Sequence, residues 1–255
     1  MSARIKKIAL LGDVHANLPA LEAVLSHAKN LGAEEIWNTG DFLGYGAFPN
    51  QVVKRMRKKK FTSIIGNYDL KVLDFPKKDE NWRQNKHPLK YLAFKWAHDN
   101  LSRKSRQFLS SLPEERDIEV GNFKFLLVHG SPVSNEELIE PATPERRLLE
   151  IQQLAKEIYG VEFAAIICGH SHQAFTRQVE KTLFVNTGSV GRQDDGNPRA
   201  AYAILQVSEN GLQVSHYRLD YDLKKAVDAV RKNGLPEAFA QMLIQGRDLE
   251  TVLRN

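Results

Sequence analysis

A single cysteine, Cys168, stands in the 255 residues. No intramolecular disulfide framework can therefore brace this chain, and no thiolate cluster can hold a zinc ion. Long apolar runs are also missing: the longest, such as residues 163–168, fall far short of the roughly 20 residues that a membrane-crossing helix needs. There is no internal repeat, no low-complexity stretch and no linker-like segment. The N-terminus enters a strand-like run almost at once, without an apolar signal region or a small-residue cleavage site. A cytoplasmic protein without a membrane partner is expected.

What is present is ordinary for a soluble globular protein, with 42% hydrophobic and 26% charged residues. The length suffices for one large domain with a full core, and residues 1–255 are read as one. Cys168 ends an apolar strand and reads as buried core. The net charge of +5 suits an anionic substrate. Much of the excess lies in residues 54–60 (K-R-M-R-K-K-K), which read as the end of a surface helix, a solvated face with no interleaved aromatics to stack on bases.

The first third alternates strand and helix. Residues 5–11 form a β-branched apolar run, and a helix follows over 18–30 with Asn17 as N-cap, Pro19 in its first turn and Gly32 beyond its end. Strands at 35–39 and 61–65 flank a helix over 50–59, a pattern that points to a doubly wound sheet. The middle, 88–112, is helical, with Trp96 and Phe108 toward the core and Pro113 closing it. Residues 117–120 and 123–128 form a hairpin about Gly121-Asn122, and Thr143-Pro144 opens a helix that Gly160 ends. Strands follow at 163–168, 174–179, 183–186, 200–206 and 212–219, then helices at 222–232 and 236–245.

The chemistry sits where several of these strands stop. Short glycine-containing turns there carry Asp13 and His15, Asp41, Asn67, His129, and His170 with His172. In open α/β sheets ligands gather at the carboxyl ends of strands, so these loops should converge. Each glycine marks a sharp turn that needs a positive φ or a close backbone approach. Two carboxylates, four imidazoles and one amide oxygen suit borderline divalent ions better than calcium. Seven side chains are too many for one ion with an open position, but match two ions sharing a carboxylate, the clamp used for in-line displacement at phosphorus. A lone histidine on a strand is more often core, and a Gly-Asp pair is commonly only a turn. Five such pieces in order are not explained by turns.

The series G-D-V-H-A-N, G-D-F-L-G-Y-G, G-N-Y-D, V-H-G-S-P, G-H-S-H and N-T-G-S-V-G resembles the calcineurin-like metallophosphoesterase superfamily, and within it the prokaryotic YfcE-type phosphodiesterases, over residues 5–219. The resemblance implies an α/β fold, a four-layer α/β/β/α sandwich of two mixed sheets flanked by helices. It implies one ion held by Asp13, His15, Asp41 and His172, and another by Asp41, Asn67, His129 and His170, with Asp41 as the bridge. A hydroxide between the ions would attack phosphorus. The catalytic set it implies is Asp41, Asn67, Tyr68 and Asp69. Manganese is the expected ion, ahead of iron, nickel, cobalt and zinc.

The third motif departs from its commonest form, G-N-H-[DE], because Tyr68 replaces the histidine that helps to protonate the leaving oxygen. A phenol is a reluctant proton donor at neutral pH, so phosphodiesters are expected to be preferred over alkyl monoesters. Asn17 and Arg192 are the candidate substrate contacts, Asn17 also serving as a cap and Arg192 lying in a loop over 188–196 that reads as mobile. Tyr45 and Phe48 could wall a base or pack internally. The expected partner is a small phosphate ester. Nucleic acid, with a nuclease activity, is the alternative, and a non-catalytic scaffold of the same fold ranks below it because all seven ligands are intact. The sequence leaves the oligomeric state open, with a homodimer as the one assembly considered.

Overall fold

The computed structural model describes residues 5–58 and 61–254. The run begins β1 (Lys6–Leu11), α1 (Leu18–Asn30), β2 (Glu35–Asn38), α2 (Pro49–Met56) and β3 (Phe61–Ser63). Helices α3 (Asn67–Leu73), α4 (Phe75–Asn85), α5 (Pro88–Asn100) and α6 (Arg103–Leu109) follow. Next come β4 (Glu115–Val120), β5 (Phe123–Val128), α7 (Glu145–Tyr159), β6 (Ala165–Cys168), β7 (Phe175–Val179), β8 (Thr182–Asn186), β9 (Ala200–Ser208) and β10 (Gly211–Leu219). The last elements are α8 (Leu223–Lys232), α9 (Glu237–Gln245) and α10 (Leu249–Arg254).

The strands form two five-stranded mixed sheets, ordered β10-β9-β1-β2-β3 and β4-β5-β6-β8-β7. Strand periodicity explains why they stack. Along β1, Ile8 and Leu10 point to one face and Ala9 and Leu11 to the other; along β5, Phe125 and Leu127 oppose Leu126 and Val128. Ile8, Leu10, Trp37, Phe125, Leu127 and Ile167 meet in one buried cluster, the seam between the sheets. The outer face of the first sheet packs on helices, including Leu21, Val24 and Ala28 of α1. The outer face of the second packs on α7 through Leu148, Ile151 and Ala155. The result is the α/β/β/α sandwich.

The doubly wound expectation is corrected by this seam: the face of the first sheet away from α1 is covered by strands, not helices. The middle segment also differs. Residues 88–112 break at Leu101, and the Ser102 hydroxyl caps α6 by accepting from Ser105 N. Trp96 and Phe108 pack, half-buried, against two different clusters. Thr143 does not cap α7; its hydroxyl accepts from Glu140 N, and Pro144 takes the cap position. The helix predicted over 50–59 stops at Met56, with Arg57 as its C-cap, and the end of the basic run, Lys59 and Lys60, lies outside the described residues. No helix among the described residues is long and apolar enough to cross a membrane.

Helices α8, α9 and α10 bury Val230, Phe239, Ala240 and Leu249 against Tyr45, Ala47 and Ala93. They thereby cover the loop that follows β2, which carries Asp41.

Candidate metal centre

Strands β1, β2 and β3 are parallel, as are β5, β6 and β8. Each triplet therefore presents its carboxyl ends along one edge, and the two edges meet. The tips of β1 and β2 are joined by backbone hydrogen bonds from Asp13 N to Gly40 O at 3.0 Å, from Val14 N to Asp41 O at 2.8 Å and from Ala16 N to Phe42 O at 2.7 Å. Asp13, His15, Asp41, Asn67, His129 and His172 are buried there, and His170 lies at the mouth.

The glycines of these turns act mainly through close approach. Gly66 has ordinary extended backbone (φ −96°), but a Cβ on it would lie 2.1 Å from Asp41 Oδ1. The unusual dihedrals fall instead on the donors themselves: φ is +52° at Asp13, +45° at His15, +54° at Asp41, +63° at His170 and +59° at His172. Left-handed backbone at non-glycine residues is uncommon and concentrates where side chains must be aimed.

The imidazoles are aimed by their rear nitrogens. His15 Nδ1 lies 2.9 Å from Leu43 O, His129 Nδ1 2.8 Å from Thr39 O, and His172 Nδ1 2.8 Å from Asp194 Oδ2. For His15 and His129 that oxygen is a backbone carbonyl, which can only accept, so the network assigns the proton to Nδ1 and leaves a lone pair on Nε2; His172 Nδ1 stands beside a carboxylate but makes no hydrogen bond of good geometry. The Nε2 atoms face other donor atoms at close range. His15 Nε2 and His172 Nε2 are 3.1 Å apart, His172 Nε2 is 3.3 Å from Asp13 Oδ1, and His129 Nε2 is 3.3 Å from Asn67 Oδ1. Asp13 Oδ1 is buried without a hydrogen-bond partner. Oxygen and nitrogen donors turned on one another in a buried space fit divalent cations, which would be coordinated by several of them at once.

Burial and neighbouring charges set the protonation of these donors. Burial, with the Asp13 charge beside it, pushes the Asp41 carboxyl up to about 8. Burial and then His129 bring His170 down to about 4, and burial lowers His15 and His129 too, leaving neutral imidazoles of the kind metals bind. His172 moves the other way, to about 10: burial opposes the charge but Asp194 and Asp13 outweigh it.

Two groups of ligand atoms lie within 4.8 Å of one another, Asp13 with His15 and His172, and Asp13 with Asp41 and His129. Asp13 thus reaches both halves, a sharing the family resemblance assigns to Asp41. Asp41 also faces both, with Oδ2 3.7 Å from His15 Nε2 and Oδ1 3.6 Å from His129 Nε2. Asn67 opens α3 beside His129, and the His170 ring bonds to the Glu136 carbonyl with its centroid 5.0 Å from that of His129.

Other sequence candidates take different places. Asp69 turns its carboxylate away from the donors and accepts from Phe42 N (3.2 Å), Leu43 N (3.0 Å) and Gly66 N (3.1 Å), so it clamps the Asp41 loop to the start of α3. Asn17, offered as a substrate contact, is 1% exposed with its amide engaged: Oδ1 caps Ala20 N, and Nδ2 donates to Gly191 O and the Tyr221 hydroxyl. The loop over 188–196 is packed rather than open, burying Ser189, Val190 and Gln193. It holds the Arg192 guanidinium over the Tyr45 ring at 5.1 Å and 3.3 Å from the Tyr68 hydroxyl, while Arg192 Nε is buried without a partner. Tyr68 sets its ring edge-on to His15, centroids 5.1 Å apart. Tyr45 packs internally, 5% exposed and against Phe239.

Sequence reasoning missed Asp194 as the partner of His172, Ser189, whose hydroxyl donates to Asp13 O at 2.9 Å, and the carbonyls of Thr39 and Leu43. The motif N-T-G-S-V-G was the signal that could have pointed to Ser189. A backbone carbonyl gives none.

Residues 7–210 match the calcineurin-like phosphoesterase superfamily domain. An uncharacterized protein of Methanocaldococcus jannaschii is 31% identical, covering 94% of this chain and 98% of its own. The crystal structure of a metallophosphoesterase from Sphaerobacter thermophilus superposes with a TM-score of 0.70 at 28% identity, over 94% of this chain and 99% of that one. That of a hypothetical protein from Pyrococcus horikoshii gives 0.82 at 22% identity, over 94% and 98%, a likeness of fold.

Proposed function

The chain belongs to the calcineurin-like phosphoesterase superfamily, and from that premise we propose that it is a two-metal phosphoesterase that prefers phosphodiesters. The observation that carries this reading is the crowding of buried donor atoms at the centre, with His15 Nε2 3.1 Å from His172 Nε2, His129 Nε2 3.3 Å from Asn67 Oδ1, and the Nδ1 atoms of His15 and His129 turned to backbone carbonyls.

In this reading Asp13, His15, Asp41 and His172 hold one ion and Asp41, Asn67, His129 and His170 the other. When bound, such ions make water nucleophilic at neutral pH and offset the charge of phosphoryl oxygens. Manganese is the ion proposed, although the donor set also accepts iron, cobalt, nickel or zinc. The chain's own groups do the rest. Arg192 and the Tyr68 hydroxyl stand together beside His15 as hydrogen-bond donors for non-bridging phosphoryl oxygens. Asp69 keeps the Asp41 loop and the first turn of α3 in register. With Tyr68 where relatives commonly place a histidine, no nearby imidazole is left free to protonate an alkoxide. Leaving groups that need little protonation, and diesters with them, are therefore preferred.

The test is a metal-by-substrate panel on chelated and reconstituted protein, with metal content measured per chain. The expected outcome is two ions per chain and faster turnover of bis(p-nitrophenyl) phosphate than of alkyl monoesters. A single ion per chain at full activity would overturn the two-metal reading.

A further inference from the structure

The Tyr68 ring begins a ladder that leads away from the centre. From His15 the ring centroids step 5.1 Å to Tyr68, 5.0 Å to Phe94 and 5.1 Å to Trp82. An ammonium group stands over each rung beyond His15. Lys71 Nζ is 5.6 Å from the Tyr68 centroid, Lys86 Nζ 5.5 Å from Phe94 and 4.5 Å from Trp82, and Lys78 Nζ 5.4 Å from Trp82.

These cations are short of counter-charge. Lys71 pairs with Glu136 at 2.7 Å, but Lys78 and Lys86 have no carboxylate within 4.0 Å among the described residues. Burial, then Lys71 and Lys90 nearby, pull the Lys86 ammonium below its ordinary range. On a solvated face such lysines would splay apart. Here two share one indole ring, and the third, Lys71, sits in the last turn of α3, the helix that the ligand Asn67 opens. A row of like charges that starts at a phosphoryl site focuses the field felt by an extended anion.

We propose that Lys71, Lys78 and Lys86, set along the Tyr68–Phe94–Trp82 ladder, form a subsite for the polyphosphate chain of a small ester whose scissile phosphoryl group lies at the metal centre. This rests on the phosphoesterase reading and adds the substrate class. Lysine ammonium groups, compact and with three rotatable donors, follow a flexible chain of phosphates without demanding one geometry. A nucleic acid would instead need aromatic faces for its bases, and ammonium groups already stand over the Trp82 ring.

The test compares the metal-loaded full chain with a Lys78→Gln, Lys86→Gln double variant, neither residue touching the centre. Calorimetric titration with inorganic tripolyphosphate should show roughly five- to ten-fold weaker binding in the variant, as expected from two lost ion pairs. Its KM for a dinucleoside tetraphosphate should rise by a similar factor, while turnover of bis(p-nitrophenyl) phosphate on the same samples stays within about two-fold. Equal tripolyphosphate affinity in the two proteins overturns the proposal. So does a parallel loss on the nitrophenyl diester, and so does a KM increase confined to oligonucleotides. Lysine-dependent tripolyphosphate binding without hydrolysis of any ester upholds the subsite and sinks the phosphoesterase reading instead.

Discussion

Replacing Gly66 with alanine isolates the close approach on which the centre depends. The backbone there is extended (φ −96°, ψ 172°), so alanine meets no conformational penalty. The whole effect comes from the new methyl group, which would stand 2.1 Å from Asp41 Oδ1 and 2.3 Å from Asp41 N. The backbone contact cannot be relieved by a rotamer change, so the Asp41 loop must retreat by roughly 1 Å or more to reach van der Waals distance. Asp41 Oδ1 accepts from Tyr68 N at 2.8 Å and faces His129 Nε2 at 3.6 Å, and both relations are lost in such a shift. Overpacking of this kind costs about 1–3 kcal/mol, or about 4–8 °C in Tm for 2 kcal/mol in a chain of this size. Metal ligation tolerates only about 0.2 Å, so the half built from Asn67, His129 and His170 should empty, with turnover down about 100-fold. Gly32→Ala is the control. Its φ of +81° costs about 1 kcal/mol, but nothing lies within 4 Å of the added methyl. Metal content by plasma mass spectrometry, Tm and diester turnover are measured on both. A Gly66→Ala protein that keeps two ions per chain and near-native turnover refutes the reasoning.

Asp194→Asn should weaken metal binding at the Asp13, His15 and His172 half by about 10–100-fold, because the carboxylate stands 2.8 Å behind His172 Nδ1 and orients the ring; chelator competition measures this, and unchanged affinity would leave Asp194 without a positioning role. Tyr68→His should raise kcat/KM on alkyl phosphomonoesters by about ten-fold or more, with Tyr68→Phe within a few-fold of wild type on nitrophenyl diesters. A wild type that already prefers alkyl monoesters contradicts the leaving-group argument. In the chelated protein, His170 titrates near 4 when folded against an ordinary 6.5, so the unfolded chain takes up the proton first as pH falls. The stability linked to this group is complete above about 6.5, fades between about 6.5 and 4, and amounts to at most about 3 kcal/mol. Denaturant midpoints near pH 7 and pH 4.5 should therefore converge in a His170→Asn variant, and an equal pH dependence in both proteins rules this out.

What could be read in the sequence was the part that local chemistry encodes. Helix α1 has its predicted bounds because Asn17 caps it and the apolar face of Leu21, Val24 and Ala28 repeats at helical spacing. Strand β1 is legible from its apolar run, and β5, which leads to His129, from the hairpin turn at Gly121-Asn122. The polar helix α4 escaped notice because, among residues 75–85, only Phe75 is buried, so no apolar stripe marks it. The packing of sheet on sheet was likewise out of reach of periodicity, since a strand buried on both faces reads the same whether helices or strands cover it. At the centre, residue types betrayed the donors but not their partners: Asp194 reaches His172 only through a loop fold that no local signal specifies.

The donors' left-handed backbone explains how so many side chains reach one point. Along an extended chain Asp13 and His15 would leave the tip of β1 in a regular alternation set by the strand; with φ at +52° and +45° the chain curls, and both converge on His172 Nε2, Asp13 Oδ1 at 3.3 Å and His15 Nε2 at 3.1 Å. Each such dihedral costs on the order of 1–3 kcal/mol, so five donors together cost an amount comparable with the whole stability of a domain. The surrounding structure must hold them. It does so with the backbone bonds that join the tips of β1 and β2, with the three amides clamped by Asp69, and with the Ser189 hydroxyl on Asp13 O. None of these bonds requires an ion. The centre is therefore shaped by the fold before any metal arrives, and binding energy that would otherwise go into ordering these loops remains available for holding the ions.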